Sequence, residues 1–175
     1  LRRKLLAHNP RALAVLDRAA ELSGWGKPPE GRFQGISYTD YLETFQAQVA
    51  EISVSKRGKV TVHKITCVAD CGQVFNLRIA RRQLEGGILY GLTATLKGEI
   101  NVKNGQIVQS NFDDYPMLKL KDTPEINVQL MGNHEAPGGL GEAGTPLIGP
   151  AVANAVFAAT GKRVRKLPIR PKDLI

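Results

Sequence analysis

The chain has 175 residues, 42% of them hydrophobic and 23% charged, with 24 Lys and Arg against 16 Asp and Glu. This length and composition predict a globular protein with a hydrophobic core and exclude disordered, collagen-like and coiled-coil chains. The net charge of +8 favours a nucleic-acid-binding protein, but nine basic residues lie within 2–4 and 162–172. Without those nine, 15 basic residues stand against 16 acidic ones, so the positive charge belongs to the two ends of the chain.

Two cysteines, Cys67 and Cys71, are too few for a disulfide framework. If both lie on one strand, they are about 13 Å apart, which is too far for a disulfide, so we expect buried free thiols. The longest uncharged run, 143–161, includes two prolines. Its apolar part is shorter than a membrane span and predicts a buried helix instead, so we expect no membrane span.

Hydrophobic periodicity and turn residues predict the secondary structure. In chain order the elements are a helix over 10–23, a hairpin of strands 43–55 and 59–69, a helix over 77–96, a hairpin of 98–103 with 106–110, a strand over 125–131, a helix over 147–160 and an edge strand over 163–169. The dipeptide Asn104-Gly105 is typical of a type I′ turn. This order predicts an α+β fold, with antiparallel hairpins and helices packed against the sheet.

A glycine-rich loop, residues 137–146, precedes the last helix. Gly139, Gly141 and Gly144 match the G-x-G-x-x-G pattern of dinucleotide-binding loops. The region about 20 residues further on is basic instead of containing the expected acid, and no repeating βαβ unit is predicted. The lysine of a P-loop is also missing. We therefore do not interpret this loop as a nucleotide site.

Glu142 lies among these glycines, before a helix for which we expect Thr145 to be the cap and Pro146 the first residue. One interpretation is a carboxylate that interacts favourably with the helix dipole. The other is a general base on a loop that a ligand approaches closely, because glycines leave the backbone uncovered. Spacing alone does not distinguish these two roles.

Segment 138–161 (GGLGEAGTPLIGPAVANAVFAATG) resembles the end of the large subunit of molybdenum hydroxylases. These enzymes form the xanthine dehydrogenase and aldehyde oxidase family, and the likeness is greatest to its isoquinoline 1-oxidoreductase beta-subunit branch. Three more motifs agree in order: VAEISV at 49–54, DCG at 70–72 followed by QLEGG at 83–87, and QSNFDDYPM at 109–117. The resemblance covers essentially the whole chain and implies the molybdopterin-binding domain of such an enzyme.

The resemblance also implies site residues. By motif position Glu142 is the general base, which in this family deprotonates a molybdenum-bound hydroxyl. The residues expected to contact the pterin are Gln83, Gly86, Gly87, Gly139 and Gly141. No metal ligand is expected on this chain. The cofactor implied is a molybdenum–pterin, and the sequence leaves open whether it is the molybdopterin cytosine dinucleotide form.

The implied reaction is hydroxylation of an azaheterocycle or oxidation of an aldehyde, with oxygen derived from water. We expect residues 1–175 to be the C-terminal portion of a catalytic subunit, with a helical lead-in over 1–30 and an α+β cofactor-contacting region over 31–175. The expected partners are the N-terminal remainder of the large subunit and a small subunit with two-iron two-sulfur clusters. The portion alone is expected to be inactive.

Two departures from the family pattern are visible. The family reads Asn-Pro where this chain has Asn76-Leu77, which predicts an altered helix start, and Gly-Glu-Pro where it has Gly141-Glu142-Ala143, which predicts a looser loop. Two alternative functions remain open, a non-catalytic interaction fragment and a nucleic-acid-binding module with a basic tail. The tail over 162–172 has no interleaved aromatic residues, so we expect no nucleic-acid partner.

Overall fold

The computed structural model describes residues 1–175. Its helices and strands are α1 (Arg2–Leu5), α2 (Pro10–Ser23), β1 (Phe33–Tyr41), β2 (Thr44–Val54), β3 (Val60–Asp70), α3 (Leu77–Leu96), β4 (Val102–Lys103), β5 (Gln106–Ile107), β6 (Glu125–Leu130) and α4 (Thr145–Thr160). Single turns of 3₁₀ helix lie at Leu120–Asp122 and Pro171–Asp173. The predicted α+β class is confirmed, and α2 and α3 have the predicted bounds.

Helix α2 has clear start and stop signals. The Asn9 side chain accepts a hydrogen bond from the Ala12 N–H at 3.1 Å, and Pro10 occupies the first helical position, where its missing N–H costs nothing. Gly24 ends the helix in the left-handed conformation with φ 61°, which glycine adopts without strain. The helix is amphipathic, and its apolar face covers one side of the sheet.

The start of α3 is not altered by the missing proline. The Asn76 side chain accepts from the Ile79 N–H at 3.0 Å, so the cap forms and the helix begins at Leu77. The expectation of a changed helix start is therefore wrong, because an N-cap asparagine is sufficient to define the first turn.

The main sheet has the strand order β1–β2–β3–β6. The predicted hairpin is confirmed as β2 and β3, and β1 extends it through a tight turn at Leu42 and Glu43, both with positive φ. Strand β6 pairs with β3 in parallel. The sheet is therefore mixed, because α3 and the segment after it return the chain to the end at which β3 begins.

Strand β2 lies at the centre of the fold and is buried on both faces. On one face its alternate residues pack against α2, in a cluster that includes Phe45, Ala47 and Val49. The other face meets α4, in a larger cluster that also contains α3 residues and includes Ala50, Ile52, Leu84, Ile148 and Val152. The result is three layers, with helices on both faces of the sheet.

Other predicted elements differ in extent. The second hairpin is only β4 and β5, although positive φ at Asn104 and Gly105 confirms its turn. Helix α4 begins at Thr145 with Gly144 as N-cap, so the prediction of Thr145 as the cap is wrong. Residues 163–169 do not form a strand. Pro168 has no N–H for a sheet, and the Ile169 N–H donates to the Thr95 carbonyl at the end of α3.

Both thiols are free and buried, as predicted. Burial raises the pKa of Cys67 to about 12 and also raises the pKa of Cys71, so both are protonated at neutral pH. None of the helices has the length and apolar character needed to cross a membrane.

Part of the basic excess at the chain ends is paired inside the molecule. Arg3 lies 3.0 Å from Asp17, Arg170 forms an ion pair with Glu99, and the Arg163 guanidinium lies 3.4 Å from the centroid of the Phe157 ring. The chain itself therefore supplies partners for some of the basic residues at its two ends.

Helices α3 and α4 approach each other through glycines. A Cβ on Gly91 would clash with the Thr145 carbonyl oxygen, and one on Gly144 would lie 2.5 Å from the Leu84 carbonyl oxygen. A Cβ on Gly87 would lie 3.2 Å from the Thr145 Oγ1. The contact therefore brings the first turn of α4, next to the glycine-rich loop, against the middle of α3.

We expect Gly91→Ala to destabilise the protein by about 1–3 kcal/mol, because backbone atoms must move to admit the methyl group. The matched control is Gly86→Ala in the same helix, where a Cβ would meet nothing within 4 Å. It should stabilise by about 0.5–1 kcal/mol through helix propensity. Urea unfolding of both variants measures the difference, and equal midpoints would contradict the close helix contact.

Candidate functional site

A cavity of about 300 Å³ lies between the segment that joins β3 to α3 and the glycine-rich loop. Its walls are formed by residues within 71–83 and by Gly138, Leu140 and Gly141. Six of the eleven lining residues are hydrophobic. A mostly apolar cleft with a few polar groups is the usual form of a small-molecule or cofactor site.

The structure brings Gln83 and Gly141 together at this cavity. The Gln83 side-chain amide donates a hydrogen bond to the Gly141 carbonyl. A Cβ on Gly141 would meet nothing within 4 Å, so the space beside it is open. An amide side chain has two N–H groups and one acceptor oxygen, and this contact uses one N–H. The other two positions remain available to a ligand.

The glycine-rich loop is attached at Gly138 and Gly139 to the sheet and to segments that adjoin its strands. The Gly138 N–H donates to the Cys71 carbonyl at 2.8 Å, and the Gly139 N–H donates to the Leu42 carbonyl at 2.7 Å. The Thr44 hydroxyl donates to the Gly139 carbonyl at 2.7 Å. Gly139 itself does not line the cavity, because it lies against the β1–β2 turn.

Glu142 lies at the surface, where its carboxylate has no hydrogen bond or ion pair within the chain. Its carbonyl accepts from the Thr145 N–H at 2.9 Å. The next residue, Ala143, is only 4% exposed and belongs to the main core cluster. Burial of Ala143 therefore anchors the loop next to Glu142.

Asp70, the last residue of β3, connects distant parts of the chain beside the cavity. Its carboxylate accepts two hydrogen bonds from Arg11 at 2.8 and 3.0 Å, one from the Gly72 N–H at 3.1 Å and one from Asn133 at 2.7 Å. Burial raises the pKa of Asp70, but these donors and the positive charge of Arg11 outweigh it and hold the pKa below its usual range. The group is therefore a carboxylate at neutral pH.

The remaining predicted cofactor residues lie away from the cavity walls. Gly86 is exposed, and Gly87 lies 3.2 Å from the Gly144 Cα, where it permits the contact between α3 and α4. Asp114, outside the cavity, accepts hydrogen bonds from the Ser110 and Asn111 N–H groups and so caps a turn of its own loop. No cluster of three or more His, Cys, Asp or Glu side chains could hold a metal ion.

Sequence reasoning missed several cavity residues. Cys71, Leu140 and two large exposed side chains, Phe75 and Ile79, line the cavity. Phe75 is 82% exposed and Ile79 is 63% exposed. Both flank the Asn76 cap, outside the core stripe of α3, and an apolar residue outside that stripe is the signal that could have identified them.

A family model for the molybdopterin cofactor-binding domain matches residues 18–124. The chain belongs to the molybdopterin cofactor-binding domain family. The resemblance that the motifs indicated is thereby confirmed. The matched range contains Gln83, Gly86 and Gly87, whereas the Glu142 loop lies beyond it.

Curated relatives extend the match to nearly the whole chain. It is 37% identical to the isoquinoline 1-oxidoreductase subunit beta of Brevundimonas diminuta, over 95% of this chain and 22% of that protein. It is also 37% identical to the membrane-bound aldehyde dehydrogenase (pyrroloquinoline-quinone) of Gluconacetobacter polyoxogenes, over 94% of this chain and 22% of that protein. The chain thus spans 22% of the length of each of these relatives.

Solved structures of other proteins have a similar fold. Quinoline 2-oxidoreductase from Pseudomonas putida 86 superposes with a TM-score of 0.68 over 74% of this chain and 18% of that one, at 24% identity. The aldehyde oxidoreductase from Desulfovibrio desulfuricans ATCC 27774 gives a TM-score of 0.66 over 75% of this chain and 15% of that one, at 26% identity. Both matches agree with the α+β architecture described above.

Proposed function

We propose that this chain is a portion of the catalytic subunit of a molybdenum hydroxylase, which hydroxylates an azaheterocycle or oxidises an aldehyde. The observation that carries the proposal is the meeting of the Glu142 loop and the Gln83 side chain at one cavity. The names of the relatives support these two substrate classes, since one is an isoquinoline oxidoreductase and another an aldehyde dehydrogenase.

The residues at the cavity fit one side of a pterin. Gln83 has a free N–H and a free carbonyl oxygen, and the backbone N–H groups of Leu140, Gly141 and Glu142 have no acceptor within the chain. Pterin rings carry hydrogen-bonding groups along their edges, which such donors and acceptors match. The open space beside Gly141 lets a ring approach the backbone. When bound, the molybdenum–pterin accepts two electrons and activates oxygen from water.

The role that we propose for Glu142 is that of general base. Its carboxylate is free of partners inside the chain, so no internal contact has to break before it accepts a proton at a carboxylate oxygen. Its peptide is held in place by the Thr145 N–H and by the buried Ala143. Gln83 and Gly141 orient the ligand, while Gly139 keeps the loop on the sheet and Gly87 keeps α3 close to it.

The rest of the active site belongs to other parts of the assembly in this proposal. Residues 1–175 form the C-terminal portion of a larger subunit, with 1–30 as a lead-in and 31–175 as the cofactor-contacting region. The remainder of that subunit closes the cavity and shapes the substrate pocket. A small subunit carries two-iron two-sulfur clusters that remove the electrons.

Metal and pterin analysis of the complete protein tests this function. We expect about one molybdenum and one pterin per subunit, and Gln83→Leu to weaken pterin retention about fivefold, because one net hydrogen bond is lost. Gln106→Leu, on the exposed β5 strand, is the control and should retain the cofactor fully.

A complete protein that contains pyrroloquinoline quinone and no molybdenum would overturn the proposal. A protein that contains neither cofactor would favour the non-catalytic interaction fragment instead. Equal pterin loss from the Gln83 and Gln106 variants would leave Gln83 without a specific role at the cofactor.

A further inference from the structure

Two glutamines on the central strand are fully buried. Gln46 and Gln48 have no exposed surface, and they share the face of β2 that meets α4. Each donates one side-chain N–H, and the carbonyl oxygen of each has no partner. A buried unpaired oxygen costs free energy that an apolar side chain of similar size would not. Packing of the core therefore does not explain why these positions are polar.

The two glutamine side chains donate to different acceptors. The Gln46 N–H lies 3.0 Å from the Cys67 Sγ, inside the sheet, and forms no hydrogen bond with the glycine-rich loop. The Gln48 N–H donates to the Gly144 carbonyl at 2.9 Å, two residues beyond Glu142. It is the one side-chain hydrogen bond from the sheet to residues 140–144.

This bond acts on a segment with little freedom. Gly144 lies against the α3 backbone, since a Cβ there would be 2.5 Å from the Leu84 carbonyl oxygen. The Glu142 carbonyl is bound to the Thr145 N–H, and Ala143 is buried. Gln48 thus holds the peptide that follows Glu142, whereas the bonds at Gly138 and Gly139 hold the part of the loop that precedes it.

We propose that Gln48 is a positioning residue, which sets the location of the Glu142 carboxylate by holding the Gly144 carbonyl. The inference rests on the proposed role of Glu142 as general base. Catalysis depends on placement within fractions of an ångström, and a misplacement of about 1 Å costs about a hundredfold in rate. Gln48 therefore affects the rate without touching the substrate or the cofactor.

The test uses the complete holoenzyme with Gln48→Met and Gln48→Asn. Methionine fills the volume but cannot donate, and asparagine keeps the amide but is too short to reach Gly144. The matched control is Gln46→Met, an equally buried glutamine two residues away whose bond goes to Cys67. The readouts are the steady-state constants with isoquinoline or benzaldehyde, the molybdenum and pterin content, and amide hydrogen exchange of peptides covering 140–147.

We expect both Gln48 variants to lower kcat about 10–100-fold, with KM changed less than about threefold and cofactor content unchanged. Exchange in 140–147 should rise at least about tenfold, in both the loaded and the cofactor-free protein. Gln46→Met should lower the melting temperature but change kcat and loop exchange by less than about twofold. If the methionine variant fails to fold, the asparagine variant decides the result.

The proposal is overturned if the Gln48 variants keep kcat and loop exchange within about twofold of the wild type, or if Gln46→Met causes the same losses. Failure of the proposed function is recognised separately. Normal turnover by Glu142→Gln would contradict the proposed role of Glu142 as general base. If that variant loses turnover but the Gln48 variants turn over normally, only the positioning role of Gln48 is rejected.

Discussion

Glu142→Gln in the complete enzyme should lower kcat by about 10²–10⁴-fold, because a glutamine of the same shape cannot accept the proton. Stability should change by less than about 0.5 kcal/mol, since the side chain is exposed and has no partner within the chain. Molybdenum and pterin content should equal that of the wild type. Steady-state kinetics, metal analysis and thermal unfolding on the same preparations separate lost chemistry from lost cofactor.

The matched control is Glu30→Gln, another exposed carboxylate without an ion pair, in the turn before β1. It should keep kcat within about twofold. Turnover near the wild-type rate in the Glu142 variant would show that the proton goes to another group. Loss of cofactor together with turnover would indicate that Glu142 binds the cofactor and has no separate role in proton transfer.

Asp70→Asn should destabilise the protein by about 3–5 kcal/mol, because it removes the charge partner of Arg11 in a mostly buried pair. The Asp70 side chain is 5% exposed, and its hydrogen bonds join α2, the end of β3 and the segment after β6. Urea unfolding measures the loss. The control is Asp17→Asn at the exposed Arg3 pair, which should cost about 0–1 kcal/mol.

Because of the Asp70 carboxylate, we also expect the stability of the protein to depend on pH. The pKa of Asp70 is lower in the folded state than in the unfolded state, so its contribution to the free energy of unfolding is fully present above the unfolded pKa of about 3.9. That contribution is lost as the pH falls through the folded pKa. Wild-type stability should therefore decrease below about pH 4 more steeply than that of Asp70→Asn, and parallel curves would contradict the assignment.

Local features were predictable where local energetics decide them. Asn9 and Asn76 cap their helices through contacts three residues away, so the bounds of α2 and α3 could be predicted from the sequence. The alternation in β2 and β3, and the turn at Asn104-Gly105, likewise depend on neighbours in the chain. The order of the motifs was enough to indicate the family and to identify the Glu142 loop as a candidate functional site.

Contacts between segments far apart in the chain determine the other features of the fold and of the candidate site. The parallel pairing of β6 with β3, the cavity between two distant segments, and the Asp70 bonds to Arg11 and Asn133 join residues about 60 apart in the chain. No periodicity encodes such pairs. Gln48 is an example of a residue whose environment depends on such contacts. The alternating pattern of its strand predicts that a glutamine is exposed, but the packing of α4 buries it.

The sequence by itself determined the family, the boundaries of α2 and α3 and the residue types at the site, since these depend on motifs and on contacts within one helical turn. Only the tertiary structure decided which residues meet. It placed Gln83 against the Glu142 loop, assigned Gly87 to the contact between α3 and α4, and left Glu142 exposed. The physical reason is that side-chain burial and hydrogen bonding across a core depend on packing of distant segments, which a linear pattern does not record.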